Sequence, residues 1–131
     1  MASITHSPNP VGFFTFNDKT TRYVLAHNSI IWLEAARIYT IIHLKEKSPI
    51  VCSQNIGDVA VQFLNGEFYR IHRSHIVNLN EVVLFENRVV LLSDDTTLTV
   101  AHREVSDFLK AYCEIKNMPL RRRAKAVRRV G

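Results

Sequence analysis

Apolar and polar positions along the chain set out a series of strands interrupted by two helical stretches. Val11 to Phe16 is an aromatic, β-prone run closed by a turn at Asn17-Asp18-Lys19, and Arg22 to Ala26 supplies a second strand. Ser29 to Glu34 holds Ile30, Ile31, Trp32 and Leu33 in succession, too continuous for a strand with one wet face, so it is expected at the centre of a sheet. Ala35 to Ile38 breaks it, Tyr39 to Leu44 resumes, Lys45 to Pro49 is a charged hairpin tip, and Ile50 to Ser53 follows. Between Asn55 and Leu64 the period becomes helical, with Ile56, Val59, Ala60, Phe63 and Leu64 on one face and Asn65-Gly66 as the stop. Phe68 to Leu79 returns to extended structure, with Ser74 and Asn78 bracketing a short turn that their side chains cap. Strands follow at Val82 to Glu86, Val89 to Leu92 and Thr97 to Val100. From Arg103 the spacing of Val105, Phe108, Leu109 and Tyr112 marks a last helix, reaching about Ile115 and ended by Asn117 and Pro119.

About nine strands with one short internal helix and a C-terminal helix, and no alternating βαβ rhythm, exclude a doubly wound nucleotide-binding fold and predict a mostly β, antiparallel assembly. The expected organisation is a disordered N-terminal lead over residues 1–10, a domain over 11–115 and a basic C-terminal tail over 116–131.

A chain of 131 residues buries a core without disulfide or metal staples. Cys52 and Cys113 lie far apart with no paired spacing, which predicts small buried thiols in a reducing cytoplasm. No secretion signal and no run of roughly eighteen apolar residues is present, so neither export nor membrane insertion is expected. The net charge of +5 informs only when divided: seven of the seventeen Lys and Arg lie in 116–131 with none of the twelve acids, leaving ten bases against twelve acids in 1–115. A folded part that binds a polyanion must therefore do so through a local patch.

Such a patch is visible in Phe68 to Leu79, where Arg70, His72, Arg73 and His75 crowd together with no acid to neutralise them. Catalysis has little to stand on: there is no glycine-rich phosphate loop, and the acids are scattered singly apart from the turn Asp94-Asp95. His72-x-x-His75, with Cys52 or His43, is the best metal candidate, but zinc sites normally draw on two close ligand pairs and a second pair is missing. Neither a metal nor a cofactor is expected. His27 and His43 read as exposed polar positions.

The run Phe-Tyr-Arg-Ile-His-Arg-Ser-His-Ile-Val-Asn-Leu resembles the signature of the LytTR DNA-binding domains of bacterial transcription regulators, roughly Phe-x-Arg-(Ile/Val)-His-Arg-Ser-(Tyr/Phe)-(Ile/Val)-Val-Asn. It departs at His75, where the family usually has an aromatic. Ile30 to Glu34 with Tyr39, and Leu98 to Arg103, support the likeness, which covers roughly residues 11 to 112. The resemblance implies small antiparallel β-sheets packed in layers with short helices at the periphery. It also implies a non-enzymatic, cytoplasmic, sequence-specific regulator that binds double-stranded DNA, inserting loops into successive major grooves.

Three segments carry the expected contacts. In the loop Ala35 to Thr40, the resemblance implies that Arg37 and Thr40 approach bases or phosphates, while Tyr39 reads equally as a core aromatic or as part of this loop. Arg37-Ile38 stands where the family often has Gly-Asn. In the central motif Arg73 matches the position that contacts DNA near the middle of the footprint, and Ser74 supports a phosphate; Arg70 and His72 serve either the fold or the DNA, and Asn78 caps a turn. At Val100-Ala101-His102-Arg103 the family usually reads Ile/Val-Ser-Arg-Arg, so His102 replaces the groove-entering arginine, and the affinity of this loop is expected to be lower or pH-dependent. The amides at the start of the last helix, with His102 and Arg103 beside them, are expected to receive a phosphate. In the tail, Arg121, Arg122, Arg123, Lys125, Arg128 and Arg129 are either solvated or a nonspecific arm along phosphates, each contact steepening the salt dependence by roughly 0.9 log unit. No receiver domain fits in this length, so control is expected from expression level, a separate signalling partner or self-association, with two copies on paired repeat sites. The alternative is a protein-interaction module of the same fold with only nonspecific polyanion binding through the tail.

Overall fold

The computed structural model describes residues 12–64 and 66–119. Its ten strands are β1 (Phe13–Asp18), β2 (Thr21–Ala26), β3 (Ile30–Ala36), β4 (Tyr39–Leu44), β5 (Ile50–Cys52), β6 (Phe68–His72), β7 (His75–Asn78), β8 (Val82–Glu86), β9 (Val89–Leu92) and β10 (Thr97–Thr99). Two helices, α1 (Ile56–Ala60) and α2 (Val105–Ile115), lie among them. A five-stranded antiparallel sheet in the order β5-β4-β3-β7-β6 forms the middle layer. The β1-β2 hairpin lies over one face, and the three-stranded sheet β10-β9-β8 lies over the other.

Two separate apolar clusters hold the layers together, and the middle sheet contributes to both. Phe14 and Phe16 of β1, Ile56 and Val59 of α1 and Phe63 pack against Leu33, Ile42, Phe68 and Ile76. On the opposite face Val82, Val90, Leu92, Leu98 and Phe108 pack against Trp32, Ile71 and Val77. This explains the unbroken run Ile30 to Leu33: β3 sits between two cores, so neither face is wet. Ile31 and Trp32, though consecutive, enter the same cluster because the β3-β4 register shifts between Ile30 and Trp32, and such a bulge turns two neighbours to one side.

Four local readings of the sequence need correction. The first strand runs through Asn17 and Asp18, pairing Asp18 with Thr21, and the chain reverses at Lys19 and Thr20. The expected helix to Leu64 is α-helical only over α1; Val61–Phe63 winds as a 3-10 turn, whose tighter pitch rotates Leu64 off the buried face to 82% exposure. The Phe68 to Leu79 stretch is two strands, with the turn at Arg73 and Ser74, so Asn78 ends β7; its side chain caps the following 3-10 turn by accepting from the Asn80 amide at 3.0 Å. Finally, His27 is buried, with its ring 4.9 Å from that of Phe63 and 5.2 Å from that of Phe68, and His43 is half-buried. Both cysteines are buried free thiols. Asn117, at φ 56, takes the left-handed position that stops α2, with the Met118 amide bonded to the Cys113 carbonyl. No helix among the described residues is long and apolar enough to cross a membrane.

Candidate nucleic-acid interface

The first loop is a two-residue turn. β3 and β4 pair up to Ala36 and Tyr39, leaving Arg37 and Ile38 at the apex, with Arg37 in the left-handed region at φ 62. Arg37 and Ile38 are exposed and Tyr39 is 44% exposed, so Tyr39 is not a core aromatic. Thr40 is fully buried, and its hydroxyl donates to the Gln54 carbonyl at 2.8 Å. It therefore has no surface to offer a duplex. The inward-outward alternation of a strand decides this: Thr40 shares its side of β4 with Ile42 and Leu44, both in the first core cluster.

The second loop is the β6-β7 turn, and its backbone is held from within the motif. The Arg70 guanidinium donates to the Arg73 carbonyl at 2.7 Å, and the Ser74 amide donates to Nδ1 of His72 at 3.1 Å. That second bond places the proton of a neutral His72 on Nε2. Arg70 and His72 thus have structural bonds at this turn, Arg73 is exposed and Ser74 is half-buried.

The third loop, Ala101 to Glu104, is a 3-10 turn that feeds α2 and leaves His102 and Arg103 exposed. The expected phosphate site at the helix start is not supported. The Glu104 amide donates to the Ala101 carbonyl and the Val105 amide to that of His102, while the Glu104 and Asp107 carboxylates already sit in the first turns.

What the sequence hid is how these loops are joined. The Ala35 amide donates to the Ser74 carbonyl at 2.9 Å, tying the first turn to the second. The Ala101 amide donates to the Ile71 carbonyl at 2.7 Å, and the Tyr69 hydroxyl donates to a Glu104 carboxylate oxygen at 2.8 Å, tying the third to β6. Burial, with that bond and the charge of Glu104, pushes the Tyr69 phenol well above its ordinary range, so it remains a donor. An open groove of about 580 Å³ has Phe68, Ile76, Arg70, Arg73 and Arg103 among its lining residues, so the second and third loops face a common space. Among the described residues the guanidinium groups of Arg37, Arg73 and Arg103 have neither a hydrogen bond nor an ion pair. Beneath this edge His43 stacks on Trp32 at 4.0 Å and bonds Glu34 at 2.9 Å, and His75 meets the Trp32 edge at 5.6 Å. The His75 ring is half-buried. No group of three or more His, Cys, Asp or Glu able to hold a metal lies together among the described residues. The tail residues Arg121, Arg122, Arg123, Lys125, Arg128 and Arg129 lie outside the described residues.

A layered β fold that exposes cations on adjoining loops, unpaired among the described residues, has the chemistry to face a polyanion. The model of the LytTr DNA-binding domain matches residues 20–112, and the chain belongs to that family, the DNA-binding domains of regulators. Among solved structures it is similar to the LytTr DNA-binding domain of a protein from Bacillus cereus described as a methyl-accepting/DNA response regulator. The TM-score is 0.63 and the identity 18%, and the match covers 76% of this chain and 95% of that one. At that identity the likeness concerns the fold. A comparison with curated proteins finds no match.

Proposed function

We propose that the chain is a cytoplasmic transcriptional regulator that binds double-stranded DNA sequence-specifically, without catalysis, by placing the Arg37 turn and the His102-Arg103 turn in successive major grooves with Arg73 on the backbone between them. The observation that carries this reading is the set of exposed guanidinium groups, unpaired among the described residues, on three turns tied by backbone bonds to one hairpin. Cations held on a rigid frame reach bases and phosphates at fixed spacing, which a flexible basic segment does not. Ser74 supports the phosphate contact through its turn, Tyr39 flanks the first groove contact, and Thr40 is left out. The tail adds sequence-independent phosphate contacts, and two copies occupy paired repeats.

Selection from a random duplex pool tests the reading. Enrichment of a motif supports it, whereas salt-sensitive retention of all sequences alike leaves only nonspecific polyanion binding. Arg73→Ala is then compared with deletion of residues 119–131. Loss of binding only on deletion of the tail rejects the groove assignments.

A further inference from the structure

We propose that Ile38 is a base-reading residue whose side chain contacts the 5-methyl group of a thymine in the major groove entered by the β3-β4 turn, next to the base pair met by Arg37. This rests on the DNA-binding reading above and goes beyond it by naming the base feature that is read.

Ile38 is 66% exposed at the apex of a two-residue turn. Such turns favour Gly, Asn and Asp, which meet the backbone requirement, and an aliphatic β-branched side chain serves no purpose in the turn itself. It belongs to neither core cluster, nor to the partly buried residues packed against them. The Thr40 hydroxyl is buried and bonded to the Gln54 carbonyl, so Arg37 is the charged donor at the tip.

The thymine methyl is the apolar feature that base pairs present in the major groove, and aliphatic contact with it is how a protein recognises thymine there. Arg37 beside it suits the paired acceptors of guanine. Consecutive Cα atoms lie about 3.8 Å apart, close to the roughly 3.4 Å step between stacked bases, so the two side chains suit adjacent base pairs. The tip is also held in place. Ala35 pairs with Thr40 and Ala36 with Tyr39, and the Ala35 amide is bonded to the Ser74 carbonyl, which ties the base of the turn to the Arg73 turn.

The test takes the full chain and the duplex recovered by selection, and replaces each thymine in turn by deoxyuridine, which removes only the methyl. One position beside a guanine is expected to lose about fourfold in affinity, the effect of removing one buried methyl-sized group. Ile38→Ala is expected to lose a similar factor on the thymine duplex and to be indifferent to uracil at that position, while Ile38→Val keeps most of the discrimination. Equal melting temperatures establish that the variants fold. A recovered motif with no uracil position whose cost Ile38→Ala abolishes overturns the proposal and leaves the DNA-binding reading standing, as does an Ile38→Ala variant that binds as tightly as the parent. Failure to recover any motif overturns both, and is seen before Ile38 is changed.

Discussion

Two turns of this molecule carry an arginine in left-handed backbone, and they use it differently. Arg37, at φ 62, caps the β3-β4 hairpin; Arg88, at φ 66, follows Asn87, at φ 51, between β8 and β9. A side chain in this region costs about 1 kcal/mol. At Arg88 the fold gains something in return: Nε donates to the Val100 carbonyl at 3.2 Å, and the Arg88 carbonyl accepts from the Val100 amide at 2.7 Å, latching the turn to the chain after β10. At Arg37 the guanidinium has no such bond among the described residues. Strain offset by a local bond is explained by stability, and strain with an unused cation points to a partner outside the fold.

The largest expected effect separates the two arginines. Arg37→Ala should weaken binding of the selected duplex by ~1–3 kcal/mol, about 5- to 150-fold, with little change in melting temperature, while Arg88→Ala leaves affinity unaltered. Anisotropy titrations at one fixed salt concentration measure both, and equal losses from the two arginines break the contrast. Next in size, Arg88→Ala should lower unfolding stability by about 1 kcal/mol through the lost bond to Val100, read from urea midpoints. A comparable loss follows from Tyr69→Phe, which removes the tie to Glu104; in footprinting, protection should weaken in the groove of the third loop and persist in that of the first. Arg37→Gly sharpens the comparison further. It should raise stability by roughly 0.5–1 kcal/mol by relieving the backbone, yet bind DNA less well, a combination that a merely structural arginine does not produce.

The smallest effect concerns the rings below the interface. Burial lowers the His75 pKa, helped by the positive character of His72 and His43 and opposed by Glu34, and burial likewise lowers that of His27, against Glu67 and a backbone bond at Phe13. A histidine with a depressed folded pKa takes up its proton more readily when unfolded. Its contribution to stability is therefore present above the unfolded value near 6.5 and is lost as the pH falls through the folded value. Melting temperature should decline on acidification below about pH 6.5, and His75→Phe, which keeps a flat ring and removes the titrating group, should flatten that decline. An unchanged slope in that variant would assign the effect to His27 alone.

Much of the fold was legible in the chain. The continuous run Ile30 to Leu33 announced a strand buried on both faces, and the spacing of Val105, Phe108 and Tyr112 announced α2. The signature around Arg73 pointed to the family. These features are local: a side-chain period or a motif is complete within a few residues. The site was legible only in part. Arg37, Arg73, His102 and Arg103 were marked by charge, but Thr40 and Ile38 exchanged roles, since a single inward-facing position on β4 buries the polar residue and the two-residue turn exposes the apolar one. Arg70 and His72 could not be assigned until the Arg73 carbonyl and the Ser74 amide came within reach of them.

By itself, then, the sequence determined which segments are strands, which family signature they carry and where uncompensated positive charge lies. Tertiary structure alone decided that three distant turns are joined to one hairpin. The bonds that join them, Ala35 to Ser74, Ile71 to Ala101 and Tyr69 to Glu104, link residues about thirty or more positions apart. No periodicity records such pairings, because they exist only once the middle sheet has set β3, β7 and β6 side by side and the second core has brought the start of α2 against β6.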